Sequence, residues 1–579
     1  MKLKNLRVRI SKKYIKEGEI MRLNGAQIVL KCLKEQDANI IFGYPGGSVI
    51  PLYDALYDEK EYFTHIRTAH EQAAVHAADG FARSTGKVGV CFVTSGPGAT
   101  NTITGIATAY MDSIPMVVIT GQVPRNMLGR DSFQEIDIMG ITLSITKHSC
   151  IIKDEKNLAV EIRKAFEIAR SGRPGPVLID IPKDIFLSEA EYEKSENEYK
   201  KQEPTFVIDI DKMQDVVKMI KAAERPIIYA GGGVKTADAS TKLCKFAEVG
   251  DIPVVNTLMG LGTIPRDHKL SLGMIGMHGF REANLAVTNS DLIIAIGARF
   301  SDRVIGKADK FAPHAKIIQI DIDETEIDKN KVAALSLVGD MNTILDVLLA
   351  YMSQKYRKSW HDEIASFKVV ETINIKNVPN MEDNLTHHSV LQCLNQALEE
   401  ETVVTTDVGQ HQMWTAQQWN FKRPRTFITS GGLGTMGFGL GAAIGSQMGN
   451  LDKRVLLVTG DGSFRMSCNE LQTISKYKLP IITVIMNNHT LGMVRQWQKM
   501  FSNERYCETD IGDEVNYVKL AEAYGIEGYK VTSIEGLKNV LEIVKTIRKP
   551  MLIDCVISKE EGVYPIVPPG KSIQELVLE

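Results

Sequence analysis

Short runs of β-branched and aliphatic residues alternate with Ala- or Leu-rich amphipathic stretches in three successive blocks, and each run tends to stop at Gly, Asp, Asn or Ser. That alternation constrains the fold more than any other feature, because strands separated by helices build parallel sheets covered on both faces. The runs predict strands over 40–43, 88–94, 116–120 and 177–181 in the first block. They predict 226–230, 253–257, 292–296 and 316–321 in the second, and 402–407, 454–459, 481–486 and 551–556 in the third. Two charged, apolar-poor stretches, 188–204 and 354–384, read as linkers. The expected domains are therefore 21–187, 205–353 and 385–560, with an extension over 1–20 and a tail over 561–579. Ligands of open parallel sheets bind at the carboxyl ends of the strands, so three domains offer three candidate edges.

The third block carries the most specific edge. Its run 454–459 ends in Gly460-Asp461-Gly462, a helix is predicted from about Cys468 to Tyr477, and the next run ends in Asn487-Asn488. A right-handed βαβ unit makes those two ends neighbours. One carboxylate with amide and loop carbonyls forms a hard-oxygen set that suits Mg²⁺ whose other ligands are phosphate oxygens and water. The flanking glycines let the backbone approach such a ligand closely. Gly-Asp-Gly alone is a common turn, whereas its pairing with two asparagines at the adjacent end points to a diphosphate–metal site. In the second block, Gly231-Gly232-Gly233 after one run and Asp321 ending another suit a dinucleotide edge, although GxGxxG spacing is absent. Glu71, in the Ala-rich stretch 69–74, reads from its surroundings as a solvated or capping acid.

Charge excludes some partners. Across 579 residues, 68 Lys and Arg balance 71 Asp and Glu, a net charge of −3 that gives no electrostatic case for nucleic acid or a membrane surface. No apolar run approaches the ~20 residues that span a bilayer. The eight cysteines are scattered without a CxxC pair, and read as reduced, mostly buried thiols of a cytoplasmic protein. The first twenty residues are basic and lack an apolar core, which suits a disordered extension rather than a secretory signal.

The Gly460-Asp461-Gly462 and Asn487-Asn488 pair resembles the cofactor motif of thiamine-diphosphate enzymes. FGYPGG at 42–47, HEQ at 70–72, TSGPGATN at 94–101, FQE at 133–135, GARF at 297–300, GGLGTMG at 431–437 and LGMVRQW at 491–497 resemble the acetohydroxyacid synthases, also called acetolactate synthases. The likeness runs from about 21 to 569. It implies three doubly wound parallel-sheet α/β domains: pyrimidine-binding, central FAD-binding and diphosphate-binding. It implies Asp461, Asn488 and the Thr490 carbonyl as Mg²⁺ ligands. Glu71 is implied to hydrogen-bond the aminopyrimidine of thiamine diphosphate and to favour its imino tautomer, so that cofactor and protein share the proton transfer. Gly409, Gln410, His411, Gly434, Met436, Gly460, Gly462 and Ser463 are implied around thiamine diphosphate, with Met436 beneath it.

The same resemblance places Gly47, Phe133 and Gln134 near the reacting centre. It gives Gly231, Gly232, Gly233, Arg299, Asp302, Arg303 and Asp321 to an FAD that is structural, since the reaction has no net redox change. Lys183 and Arg299 would attract the carboxylate of the second 2-oxo acid. Met493, Val494 and Trp497 would form the acceptor pocket, Trp497 favouring 2-oxobutanoate over pyruvate. The implied reaction joins pyruvate to pyruvate or 2-oxobutanoate with loss of CO₂, in branched-chain amino-acid biosynthesis. The implied assembly is a homodimer or homotetramer whose sites are shared between subunits, with a small regulatory subunit. The alternatives are another thiamine-diphosphate decarboxylase, carboligase or pyruvate oxidase and, more remotely, a non-catalytic FAD or nucleotide sensor. Gly441 stands where the family usually has proline, which predicts a looser helix start. Arg465 replaces a usual glutamine, and Ser301 a usual acid.

Overall fold

The structure is a computed structural model that describes residues 20–195, 209–368 and 385–579. All but the last residue of the expected basic extension, and most of both expected linkers, lie outside the described residues.

Every run predicted as a strand is one, and each block closes into a six-stranded parallel sheet with helices on both faces. In the first sheet the spatial order is Thr64–Arg67, Ile40–Tyr44, Gly89–Val93, Met116–Gln122, Pro176–Pro182, His148–Ile151. In the third it is Phe427–Ile428, Val403–Thr406, Val455–Gly460, Ile481–Asn487, Met551–Val556, Glu527–Val531. Numbered by chain order within each sheet, both read 2-1-3-4-6-5. The central sheet runs Ser271–Met274, Val254–Asn256, Pro226–Ala230, Leu292–Ile296, Lys316–Asp321, Leu335–Val338, which is 3-2-1-4-5-6, the strand order of dinucleotide-binding folds. In each sheet the chain reverses direction of travel beside the first strand. The crevice at that switch point is open to a ligand because the two crossing connections leave it in opposite directions.

The inner strands Gly89–Val93, Met116–Gln122, Leu292–Ile296, Val455–Gly460 and Ile481–Asn487 are buried along their whole length, which explains why they read as unbroken aliphatic runs. The first and third domains meet through the helices Glu71–Thr85 and Phe438–Gly449. A side chain on Gly80 would begin 2.2 Å from the Ala442 carbonyl oxygen, and one on Gly445 1.7 Å from that of Ala77. Gly441 belongs to the same contact, 2.7 Å from the His76 Cβ. Its position gives the glycine a role that the sequence reading lacked: lying within the helix Phe438–Gly449, it lets two helices touch backbone to backbone.

Four other expectations change. Residues 189–193, read as linker, form the strand Glu189–Glu193, which pairs antiparallel with Ile20–Asn24 and buries Ala190 and Tyr192. Residues 358–367, also read as linker, form the helix Lys358–Phe367, whose Trp360 is buried and donates through Nε1 to the Pro226 carbonyl at 3.1 Å. In both, one apolar face is hidden within a highly charged stretch. The tail is packed as well: Val563, Ile566, Val567 and Ile573 are buried, and the Ile573 carbonyl accepts from Asn284 at 2.9 Å. Finally, all eight cysteines are free, but only Cys32, Cys91, Cys393 and Cys555 are buried.

Candidate active site

The third sheet builds its switch-point crevice between Val403–Thr406 and Val455–Gly460. Asp407, just past the first strand, accepts from the backbone N–H groups of Val408, Gly437 and Gly439 at 3.0, 2.8 and 3.1 Å. It thereby ties the 430–437 loop to the strand end, and burial pushes its carboxyl up to about 6. Gly409, at φ 153°, opens the helix Gln410–Gln418, whose N-terminus has no side-chain cap. His411 is buried and its Nε2 has no hydrogen-bond partner. Burial lowers it to about 3, so the ring is neutral at physiological pH. A side chain on Gly460 would begin 2.8 Å from His411 Nδ1, so only glycine admits the imidazole there. Ser463 donates to the Val408 carbonyl at 2.9 Å and fixes the two loops together.

Asp461 begins the short helix Asp461–Arg465 and is 1% exposed. Its Oδ2 has no partner, and burial pushes the carboxyl up to about 7. The parallel register sets Gly460 beside Met486, so Asp461 faces the Asn487–Thr490 turn, whose His489 N–H bonds its carboxylate. Asn487 is consumed by the core, donating to Asp554 at 2.9 Å. Asn488 is free of that duty: it donates to Gln410 Oε1 at 3.2 Å and its Oδ1 receives the Thr490 N–H at 3.3 Å. A solvent-shielded carboxylate oxygen without a donor, beside an amide oxygen and a turn of carbonyls, fits a hard divalent cation. The orphaned His411 nitrogen, the uncapped helix N-terminus and the side-chain-free Gly409 and Gly460 fit a diphosphate. Met436 points into the same corner, its Cε 4.0 Å from where a Gly462 side chain would start.

The first sheet offers the matching crevice between Ile40–Tyr44 and Gly89–Val93. Glu71 is the first residue of the helix Glu71–Thr85, half-buried rather than solvated, and its Oε2 accepts from Asn101 Nδ2 at 2.9 Å. Oε1 lies against Gly98, where a side chain would begin 3.5 Å away. The backbone just before it is gripped by the third domain: Glu470 accepts the Ala69 N–H on both oxygens, at 3.1 and 3.0 Å. Gly47 faces open space, Gln134 at φ 60° packs against Gly96, and Phe133 is 87% exposed. Lys183 starts a helix at the end of the strand Pro176–Pro182.

The central crevice opens into a cavity of about 1720 Å³. Gly231, Gly232, Gly233, Arg299, Asp302, Arg303 and Asp321 all line it, as do Met493 and Trp497 of the helix Gly492–Phe501. Val494 lies on that helix and is exposed. Gly231 and Gly233 sit against Gly297 at the switch point, where side chains would begin 2.0 and 2.7 Å from its backbone. Arg299 reaches the Met111 carbonyl at 2.9 Å, and the Arg303 guanidinium lies 5.8 Å from the Trp497 ring centre. The cavity exceeds the 300–1,000 Å³ usual for a small-molecule site and has the volume for a dinucleotide. Lys183, Glu71, Gln134, Asp461 and Asn488 are not among its lining residues, so one chain does not bring Lys183 and Arg299 onto one wall.

Sequence reasoning passed over Asp407, Asn101, Glu470 and Lys235. Asp407 carried a readable signal, an acid ending an apolar run like Asp461 and Asp321. Asn101 ends TSGPGATN at 94–101, where sequence alone assigns it no role. Glu470 had none, since its partner is 401 residues away. Lys235, on the cavity wall, is lowered by burial to about 7 and stands beside Arg83 and Arg425.

The family described as the N-terminal TPP binding domain of thiamine pyrophosphate enzymes matches residues 23–141. The central domain of those enzymes matches 213–348, and their C-terminal TPP binding domain 407–555. The chain is 46% identical to a probable acetolactate synthase large subunit of Methanocaldococcus jannaschii, covering 96% of this chain and 95% of that protein. It is 45% identical to an acetolactate synthase large subunit of Parasynechococcus marenigrum, over 96% and 91%. To the acetolactate synthase isozyme 2 large subunit of Escherichia coli it is 44% identical, over 96% and 99%.

Proposed function

The chain belongs to the acetolactate synthase large subunits, within the thiamine pyrophosphate enzymes, and on that premise we propose how its three crevices divide the work. The enzyme is a thiamine-diphosphate-dependent acetolactate synthase, a carboligase. Its reaction joins two molecules of pyruvate, or pyruvate and 2-oxobutanoate, with loss of CO₂, to 2-acetolactate or 2-aceto-2-hydroxybutanoate. When bound, thiamine diphosphate supplies the electron sink that decarboxylation needs, and Mg²⁺ neutralises its diphosphate.

The third crevice holds the cofactor. Asp461, Asn488 and the Thr490 carbonyl would ligate Mg²⁺, the unpartnered Asp461 Oδ2 gaining the cation it lacks. Gly409, Gln410 and neutral His411 would donate to the diphosphate, while Gly434 and Met436 support the organic part. Glu71 holds and moves the proton at the aminopyrimidine. Asn101 aims its carboxylate, and Glu470 fixes the backbone from which it projects. Gln134, Gly47 and Phe133 border the reacting centre. Lys183 of one subunit and Arg299 of another would bind the acceptor carboxylate, and Met493, Val494 and Trp497 would form the apolar wall that takes its alkyl group. One methylene there is worth ~1–3 kcal/mol, so acceptor preference is graded. FAD would lie in the central cavity on Gly231–Gly233, Arg299, Asp302, Arg303 and Asp321. No residue of that wall is required to move electrons, in keeping with a structural flavin. The assembly is a homodimer or homotetramer with a small regulatory subunit.

The observation that carries this reading is the pair of buried, partnerless groups, His411 Nε2 and Asp461 Oδ2, at adjacent strand ends of a chain matched over 96% of its length to an acetolactate synthase large subunit. A pyruvate assay with thiamine diphosphate, Mg²⁺ and FAD omitted one at a time tests it. Acetolactate should form only with all three present. Acetaldehyde or acetyl phosphate as the main product, or full activity without Mg²⁺, would overturn it.

A further inference from the structure

His148, Cys150 and Glu161 meet on the first domain, outside all three crevices. His148 and Cys150 are two apart on the strand His148–Ile151 and so project from one face. Glu161 comes from the first turn of the neighbouring helix Leu158–Arg170. A ring nitrogen of His148, the Cys150 Sγ and a carboxylate oxygen of Glu161 all lie within 4.8 Å of one another, and each residue is partly buried. No other group of three His, Cys, Asp or Glu among the described residues comes together in this way. His148 Nε2 is shielded from solvent and has no hydrogen-bond partner. Among the described residues, Glu161 makes a loose ion pair with Lys164 at 3.5 Å, its side chain 28% exposed.

We propose that these three residues form a binding site for a zinc-class divalent cation, with water as fourth ligand. Imidazole, thiolate and carboxylate together select a borderline-soft ion over Mg²⁺. Bonds of about 2.0–2.3 Å set tetrahedral ligand atoms roughly 3.5 Å apart, so closure needs shifts of about 1 Å among three side chains at a surface. The location gives the ion a structural effect. Among the described residues, the strand His148–Ile151 is the sheet edge and pairs only with Pro176–Pro182. A bound ion would clip that edge to the helix beside it, and binding to the folded state alone raises the unfolding temperature.

The test uses the full-length protein in excess Mg²⁺, which keeps oxygen sites filled. Co²⁺ titration should produce a thiolate-to-cobalt charge-transfer band saturating at one ion per chain, and Zn²⁺ should bleach it. Cys150→Ser should abolish the band and Cys507→Ser, at the exposed cysteine, should not. Should Cys150→Ser fold poorly, His148→Gln should weaken Co²⁺ binding at least tenfold. In the unmodified protein, Zn²⁺ should protect Cys150 from alkylation, read by peptide mass spectrometry. No band in excess Co²⁺, a band that survives Cys150→Ser, or Cys150 alkylated equally with and without Zn²⁺ would each overturn the site.

Discussion

A carboxylate does different work according to what surrounds it. Glu71 has an amide donor on one oxygen and glycine beside the other, so it is held yet reachable. Glu71→Gln keeps the shape and removes the proton site: folding should be unchanged, and kcat should fall by ~10²–10⁴-fold. Near-normal turnover in that variant would remove Glu71 from the mechanism. Glu470 acts through the backbone, so Glu470→Gln should lower kcat by about tenfold with KM for pyruvate little changed; a change in KM alone would argue against a positioning role. Asp180 is neither catalytic nor paired. It accepts from Thr120 at 2.7 Å and Gln122 at 2.9 Å, and burial raises it from 3.8 to about 7. Between those values the folded chain keeps a proton that the unfolded chain has released, so Asp180 makes stability fall as pH rises from about 4 to about 7. Urea midpoints of wild type and Asp180→Asn across that window should converge at low pH and separate in favour of the variant above pH 7. A pH-independent difference would show that the carboxyl does not titrate with folding.

At the scale of elements, the sequence revealed the inside of each sheet and missed its borders. The six strands it did not predict within the three sheets are the six edge strands. Central strands are buried on both faces and must be aliphatic throughout, whereas edges such as Thr64–Arg67 and Glu527–Val531 keep polar residues that face water. The strand Glu189–Glu193 alternates exposed and buried residues, but its charged half dominated the reading. Helix contacts were hidden for another reason, since a glycine in a helix signals only low propensity until its neighbour is known. Gly445→Ala should drive the new methyl into the Ala77 carbonyl and cost on the order of 3 kcal/mol, seen as a lower thermal midpoint. An unchanged midpoint would mean that the helices can separate without loss. Arg465, unexplained in sequence, donates to Tyr517 Oη at 2.8 Å and to the Ile511 and Gly512 carbonyls at 2.6 and 3.1 Å, fastening the segment that follows Asp461.

Over the whole molecule, charges buried between domains fix how the crevices face each other. Arg83 pairs with Asp79 and Asp112 and donates to the Thr429 carbonyl, while Asp112 accepts from the N–H groups of Gly431 and Gly432. The tail adds a second tie, because the Ile573 carbonyl accepts from Asn284 of the central domain at 2.9 Å. Site sharing between subunits has its own test. Glu71→Gln and Asp461→Ala chains, each inactive, should on mixing and exchange recover up to about a quarter of wild-type activity, because half the dimers then carry one intact site. No recovery despite subunit exchange would place both halves of each site in one chain. The sequence by itself determined the three α/β blocks, their inner strands and the acids and glycines at the strand ends, because these depend on local pattern and strand length. Only the tertiary structure decided that Asp461 is an orphan while Asn487 is spent in the core, that Glu470 grips the chain before Glu71, and that Gly441 serves a helix contact. Each of those depends on a neighbour far away in sequence, and burial gives it weight by removing the water that would otherwise satisfy the group.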